Sequence, residues 1–501
     1  MTLAKFLDDP WRTSHAAYQH SALAMTPAPE YASSEVILAS LYRVIGFPGL
    51  MESAVPQEGR DLDREIQKFL KRRQPRVGAT LDADSFHMML HSALESPKLP
   101  NQSSKRFLQV TPLVPQAAVF SGSARTTGNP WSAGTLVRRM VWLGARDVAH
   151  AQRVWSMLFN ALSIGADDDI FARFLQAEIK AWAGDRQWTA PESPEAPMLA
   201  PEDRASLVFP AQQFVRDLEA VIEAKDSLTR RQWTSLLEAA LRIAAVSHVL
   251  WLCEVHARTW ACVRDSLAGG GPLTIEAARA ALFPSGSTFL SYGDRALASI
   301  KDRASSYLLA RLGLNAVLWA LEEEGASNTT TLGTAAGLFA VCTSVRDARD
   351  KLAASAILQK LSEIQERENR AILCRKGIGS NIMEFARHVL GQRQAASAVL
   401  RGYDQGYALK KKGASASSPW VVGLGPVAVL TLVHCSLANT SGPRSVRRLA
   451  QHLAAYGIAV DHRDVAQNDL GHQLRMLGLV LDSPDAESGM LLVPPFPDRA
   501  A

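Results

Sequence analysis

Three charged residues, Asp167, Glu178 and Lys180, have a spacing that could serve metal-dependent hydrolysis of nucleic acid. In that chemistry two carboxylates hold Mg²⁺ and the lysine assists the attacking water. The arrangement needs the Glu-x-Lys pair on a β-strand, whereas residues 170–182 have a strongly helical pattern. We therefore expect charges on a solvated helix face, and keep a Mg²⁺-dependent nuclease as an alternative function.

A second possible chemistry is metal binding by histidine and cysteine. His87 and His91 are four residues apart, so one helix face would present both, but Met88 stands where a metalloprotease of this spacing has its glutamate. Four further candidates share one long predicted helix: His248, Cys253, His256 and Cys262. A single rigid helix rarely supplies four ligands, so we predict no metal site and no cofactor.

Phosphate-binding loops have only partial matches. Gly122 and Gly128 bracket Ser-Ala-Arg-Thr-Thr without the lysine of a P-loop, and Gly377-Ile378-Gly379 lacks the third glycine and the preceding strand of a dinucleotide site. No nucleophile elbow is recognisable either. We therefore expect a protein that is not an enzyme, although active sites assembled from distant residues leave no such signature.

The overall charge gives little guidance on partners. The chain has 501 residues, with 54 basic and 49 acidic side chains and a net charge of +5. That small excess permits binding to double-stranded DNA without demanding it. The hydrophobic content of 47% is enough to bury real cores and excludes disorder of the whole chain.

The compartment is predicted from the cysteines and the apolar runs. Five scattered cysteines without a Cys-x-x-Cys fit a reducing cytoplasm. The first residues, 1–12, contain no apolar stretch long enough for a signal peptide. The run 421–438 contains glycine and proline and falls short of the ~20 apolar residues of a membrane span. We expect a cytoplasmic protein that contacts no membrane.

Apolar periodicity predicts a mainly α fold, a multi-helix bundle or array. The predicted helices cover residues 33–46, 61–73, 84–95, 133–183 with breaks near Gly144 and Gly165, 211–226, 229–267, 292–324, and several more between 333 and 391. The segment 229–267 lacks Pro and Gly and is apolar on much of its surface, so we expect it at the centre of a bundle.

Composition divides the chain into five parts. These are a mostly helical domain (1–188) with a Pro/Ser/Gly-rich insertion at 97–130 that forms a long ordered loop or a small sheet, a Pro-rich linker (189–210), a long-helix bundle (211–409), a flexible basic linker (410–418) and a C-terminal domain (419–501).

The C-terminal part has a definite order of elements. A helix starts at Pro426, a second runs from the turn at 441–443 to Tyr456, and a third covers 465–477; strands at 479–481 and 490–493 follow. Three helices and a hairpin resemble the winged-helix family, a helix-turn-helix variant, over about residues 419–496.

The resemblance implies that the third helix enters the major groove of DNA. The residues that would contact bases are Gln467, Asn468, Gln473 and Arg475. Those that would contact phosphates are Arg444, Arg447 and Arg448, and the basic linker would add Lys410, Lys411 and Lys412. From Pro419 onwards, however, the chain has six arginines and no lysine but six aspartates and one glutamate, so its charge does not favour DNA. The opposing interpretation, a winged helix that contacts protein, therefore stays open.

Residues 470–496 also look like the tails of large helical accessory proteins in bacterial phage-defence and DNA-processing operons. The expected function is a non-catalytic DNA-binding or assembly subunit of such a multi-protein system, with other protein subunits as partners. A ligand-sensing transcriptional regulator is a further alternative beside the nuclease.

Overall fold

The structure is a computed structural model. It describes residues 2–25, 34–50, 78–94, 112–120, 133–183, 186–190, 198–204, 209–326, 331–392, 404–413, 417–440, 444–482 and 490–496, with the single positions 64, 67, 68, 71 and 415.

Helices form most of this described part, so the mainly α prediction is confirmed. The helices before residue 400 are α1 (Leu3–Asp8), α2 (Ala16–Gln19), α3 (Ser34–Gly46), α4 (Ala83–Leu94), α5 (Ala133–Gly144), α6 (Val148–Leu162), α7 (Ile170–Ala183), α8 (Pro201–Arg204), α9 (Pro210–Glu223), α10 (Arg230–Leu267), α11 (Ile275–Leu282), α12 (Leu297–Glu323), α13 (Ala335–Asp347), α14 (Arg349–Ala354), α15 (Ile357–Arg367), α16 (Asn369–Ile372) and α17 (Ile378–Leu390). Short 3₁₀ helices cover Pro115–Val119 and Ala224–Ser227.

Helix α10 is the central element, as its composition predicts. Thr229 starts it with a capping box, since its hydroxyl accepts from the backbone N–H of Gln232 while the Gln232 side chain accepts from the Thr229 N–H. With 38 residues it is about 57 Å long. It packs against α12 on one side and α9 on another, with α3, α11, α13 and α17 around it.

Both α10 and α12 are long and apolar enough to cross a membrane by length and composition. In this fold, however, 94% of the most apolar window of α10 and 83% of that of α12 are buried inside the protein. Core helices of this kind pass the same test, and here their apolar surface is covered by neighbouring helices.

The junction of α5 and α9 depends on a glycine. A Cβ on Gly144, the last residue of α5, would lie 2.0 Å from the carbonyl oxygen of Ala211 in α9. Any larger residue would push the two helices apart. The sequence break predicted at Gly144 therefore marks a close helix contact.

A small second core lies beside the main one and joins α4 and α7 to the 3₁₀ helix at Pro115–Val119. Its centre includes Phe86, which stacks on Trp182 at 5.4 Å between ring centroids. Residues 112–120 are the described part of the predicted 97–130 insertion, and they form this 3₁₀ helix rather than a strand. The predicted helix 61–73 lies almost wholly outside the described residues.

Three buried arginines tie distant segments together. Arg230 donates to the carbonyl oxygens of residues 113, 161 and 162, and Arg311 to those of residues 10 and 13. Arg242 forms a bidentate pair with Asp404, at 2.6 and 3.1 Å, and also donates to the carbonyl of Gly391. A buried guanidinium needs such a set of acceptors, so each arginine fixes the segments that provide them.

The C-terminal segment consists of short helices and a small antiparallel sheet. Its helices are α18 (Pro426–Leu437), α19 (Arg447–Ala455), a 3₁₀ turn (Val465–Gln467) and α20 (Asp469–Met476). The strands among the described residues are β1 (Leu290–Ser291), β2 (Leu409–Lys411), β3 (Trp420–Val422), β4 (Arg444–Ser445), β5 (Ile458–Ala459), β6 (Val480–Asp482) and β7 (Met490–Leu492).

Strand pairing follows three patterns. In the sheet β4–β7–β6 both pairs are antiparallel, with Leu492 opposite Arg444 on one side and Val480 on the other. Strands β1 and β5 pair in parallel, which joins the C-terminal segment to the residues before α12. Strands β2 and β3 form an antiparallel hairpin in which Leu409 faces Val422.

This last hairpin corrects one prediction. Lys410 and Lys411 were expected in a flexible linker, but they belong to β2, and Lys412 donates its backbone N–H to the carbonyl of Pro419. The hairpin is also bonded to the body, because the N–H of Val422 donates to the carbonyl of Asp294 at 3.0 Å. The glycine and serines that favoured flexibility lie at its turn. The five-part domain division stays a prediction.

Candidate nucleic-acid interface

Helix α18 attaches the C-terminal segment to the body. Pro426 starts it at the first helical position, and its apolar residues are buried against α10 and α9. Helix α20 packs instead on α18, on the 3₁₀ turn before it and on β6. Its other side leaves Asp469, His472, Arg475 and Met476 exposed.

Asn468 divides the predicted third helix in two. Its backbone is extended, and its side-chain oxygen accepts the N–H groups of Leu470 at 2.9 Å and Gly471 at 3.2 Å, which caps α20. The side chain is thus already engaged, and the predicted contact with a base is not available to that oxygen without uncapping the helix.

Lys410 brings the β2–β3 hairpin to the start of α20. Its ammonium forms an ion pair with the carboxylate of Asp469, the first residue of that helix. The pair neutralises the negative charge nearest the α20 face. It also joins strand β2 to the start of the helix.

The two residues after Lys410 are also predicted basic contacts: Lys411 is the last residue of β2, and Lys412 follows it. The Lys411 ammonium lies over the ring of Trp420, 5.7 Å from its centroid, and Lys412 is exposed. Lys410 and the start of α20 are therefore neighbours, although 59 residues separate Lys410 from Asp469 in the sequence.

Two of the predicted arginines bind backbone carbonyls. Arg475 donates to the carbonyl of Ala466 at 2.9 Å and is otherwise exposed on α20. The Nε of Arg448 donates to the carbonyl of Ser436 at the end of α18, which turns this side chain towards the body rather than towards α20.

The remaining predicted contacts are spread over the segment. Arg444 lies in β4 and Arg447 at the start of α19, and both are exposed. Gln467 is exposed in the 3₁₀ turn, whereas Gln473 on α20 is half-buried. Among these residues, the structure joins Lys410 to the start of α20 and directs the Arg448 side chain towards the end of α18.

A buried polar cluster that was not predicted joins α9 to α19. The carboxylate of Asp217 accepts from the ring Nε2 of His452 at 2.9 Å, from the hydroxyl of Tyr456 at 2.7 Å and from the amide of Gln213 at 2.7 Å. Asp217 is only 2% exposed. The ring proton of His452 is therefore placed on Nε2, because that nitrogen faces the carboxylate, whereas Nδ1 faces the amide donor of Gln213 at 3.4 Å.

Burial and the charge of Asp217 raise the pKa of Tyr456 well above its usual range. Its hydroxyl therefore keeps its proton and remains a donor. The sequence signal was weak but present: Asp217 is a charged residue among buried Phe214, Val215 and Leu218 on the apolar side of α9.

The nuclease spacing does not form a joint site. Residues 170–183 are helical, and Glu178 is buried with its carboxylate accepting from the backbone N–H of Thr80 at 2.8 Å and from the Thr80 hydroxyl. Asp167 is exposed. Glu178 therefore fixes the chain before α4, and the strand required for the nuclease arrangement is absent from this described segment.

The histidines of α10 also have structural surroundings. His256 makes hydrogen bonds to the carbonyl of Leu252 at 2.6 Å and to the hydroxyl of Tyr18 at 3.0 Å, and His248 stacks on Trp251. His87 and His91 share α4. Over the described ranges, no three His, Cys, Asp or Glu side chains are grouped to hold a metal ion.

No family model, curated protein or solved structure matches this chain.

Proposed function

We propose that the protein is a non-catalytic subunit of a bacterial multi-protein system, of the phage-defence or DNA-processing kind, whose C-terminal segment folds as a winged helix and binds double-stranded DNA in the cytoplasm. Support for the fold comes from the order α18, α19, α20, β6 and β7, three helices and a hairpin. Strand β4 adds a third strand to that hairpin.

One observation carries the proposal: Lys410 of the basic β2–β3 hairpin forms an ion pair with Asp469, the first residue of α20. The pair joins the hairpin to the start of that helix and neutralises an acidic charge that would repel phosphate. Lys411 and Lys412 then contact the phosphate backbone, while His472 and Arg475 face the base edges.

The test is fluorescence anisotropy of labelled double-stranded DNA with the full-length protein. Truncation after Leu409 is unsuitable, because it removes α18, which packs on α10. The double variant Lys411→Gln, Lys412→Gln should bind about tenfold more weakly at ~0.1 M salt. The control is Arg173→Gln, which removes an exposed charge from α7. If the double variant and the Arg173→Gln control lose DNA affinity by the same factor, the proposed interface is refuted.

A second candidate function, docking of a partner protein, is favoured by a different observation. Three apolar side chains at the end of α20 and on β6 are exposed: Met476 by 73%, Leu477 by 38% and Leu481 by 55%. Exposed apolar side chains that lie together commonly mark protein contacts.

Two variants separate the two functions. Met476→Gln with Leu481→Gln should leave DNA affinity unchanged if the lysines carry it, but abolish copurification of a defined partner subunit. Met88→Gln on α4, where the methionine is 65% exposed, is the matched control. Copurification that survives the double variant would dismiss this candidate.

A further inference from the structure

A polar cavity lies where the body meets the C-terminal segment. Its volume is about 490 Å³, within the usual range for small-molecule sites. Helix α9 forms one wall, the end of α18 a second and α19 the third. The cluster of Asp217, His452 and Tyr456 holds α9 and α19 together at this place.

The charged side chains that line the cavity differ in how many hydrogen-bond and ion-pair partners they have. Arg216 on α9 is exposed and has no hydrogen-bond or ion-pair partner among the described residues. Arg448 on α19 is also exposed and uses only its Nε, towards the carbonyl of Ser436. Of the two glutamates in the lining, Glu219 is engaged by the ring of His150 at 3.0 Å, and Glu223 is exposed.

Two guanidinium groups with open N–H donors in one cavity are suited to an anion of two charges. A guanidinium presents paired donors in a fixed plane, which match the oxygens of a phosphate group. A phosphomonoester carries nearly two negative charges at neutral pH. Glu223 and the amides of Asn439 and Gln451 remain for hydroxyl groups on the rest of such a molecule.

We propose that this cavity binds a small molecule that carries a phosphomonoester, with Arg216 and Arg448 on the phosphate. The site goes beyond the proposed DNA binding and does not depend on it. Because the two arginines come from α9 and α19, the ligand links the body to the C-terminal segment. Its occupancy therefore stabilises the position of that segment seen here.

The experiment is isothermal titration calorimetry of the full-length protein with ribose 5-phosphate and with inorganic phosphate. We expect saturable binding of one ribose 5-phosphate per chain. Arg216→Gln and Arg448→Gln should each weaken it by about tenfold or more. Arg231→Gln, which removes an exposed arginine outside the cavity lining, should leave the affinity unchanged.

Each result has a clear meaning. No saturable binding of either probe up to about 10 mM, at the weak end of specific affinity, would overturn the proposal. Equal affinity in the wild type and both arginine variants would do the same, and so would binding of malonate in preference to both phosphates. Circular dichroism of the variants checks that they fold. Since DNA is absent from the assay, failure of the proposed DNA interface would not alter these results.

Discussion

Removing the Asp217 carboxylate should weaken the attachment of the C-terminal segment to the body. The side chain is buried and accepts three hydrogen bonds, two from α19 and one from Gln213 on its own helix. In Asp217→Ala the donors of His452 and Tyr456 stay buried without an acceptor. In Asp217→Asn the amide oxygen can accept from both His452 and Tyr456, which share Oδ2 in the wild type, but an NH₂ group then faces the amide donor of Gln213.

The magnitude follows from this donor count. A hydrogen bond to a charged acceptor contributes about 1.5–3 kcal/mol, and a buried donor left unpaired costs about 1–3 kcal/mol. Three such bonds are lost, but removal of the carboxylate also recovers the desolvation cost of its buried charge, so the net loss is smaller than the sum of the bonds. We expect about 3–5 kcal/mol for Asp217→Ala, somewhat less for Asp217→Asn, and about 1–2 kcal/mol for Tyr456→Phe.

Urea unfolding of the three variants and of the double variant Asp217→Ala, Tyr456→Phe measures these differences. Because Tyr456 donates to Asp217, Tyr456→Phe should cost little once the carboxylate is gone. Hydrogen exchange should also show faster opening of residues 447–456 than of α10 in Asp217→Ala. An Asp217→Ala protein within about 1 kcal/mol of the wild type, or additive costs in the double variant, would refute this reasoning.

Three other perturbations test the buried polar groups. Burial lowers the pKa of His248 to about 3 and that of His256 to about 4, so both side chains stay neutral in the folded protein, whereas in the unfolded chain they take up protons below pH 6.5. The free energy of unfolding should therefore be highest above that pH and fall by about 2 kcal/mol per histidine at pH 5, as measured by unfolding curves at a series of pH values. A pH-independent stability between 5 and 7 would contradict it. Asp404→Ala should cost about 3–5 kcal/mol because buried Arg242 loses its bidentate partner and keeps only the more distant carboxylate of Glu238, at 3.6 Å. The double variant Asp404→Ala, Arg242→Met should recover much of that loss in the same assay. Glu178→Ala should cost about 2–3 kcal/mol and speed hydrogen exchange in α4, and unchanged exchange there would show that this contact is unimportant.

The long helices could be predicted because their signals are local. The predicted segment 229–267 matches α10 to within a residue, since the Thr229 cap and the absence of Pro and Gly are readable in the sequence. The predicted helix from 292 begins five residues later in the structure, at Leu297, because the preceding residues pair with β5 and β3. A strand of only two residues is too short to show the alternation of apolar and polar residues by which strands are predicted, so this pairing could not be read from the sequence.

The same limit explains the corrected linker. Lys410 to Ser418 has the composition of a flexible segment, but strand β2 at its start is held by hydrogen bonds to Trp420–Val422 and, through them, to Asp294. Strand β4 was missed for the same reason, since it pairs with β7, more than forty residues later. Composition indicates the structure that a segment favours by itself, but not the hydrogen bonds that distant strands offer it.

The candidate site was predicted only in part. The exposed position of Arg475 follows from the apolar spacing of Leu470 and Leu474, which face inward as expected. The contact of Lys410 with Asp469 could not be foreseen, because it depends on how the hairpin sits on the body. The buried partners of Asp217, more than 230 residues away in sequence, were equally inaccessible.

The salt dependence of DNA affinity tests the central claim most directly. Measured between about 50 and 200 mM salt, the logarithm of the binding constant should fall linearly with that of the salt concentration. In the variant with Lys411→Gln and Lys412→Gln the slope should be shallower by about two, one for each lost phosphate contact. An unchanged slope, or no binding by the wild type at about 50 mM salt, would contradict a DNA interface formed by this hairpin and α20.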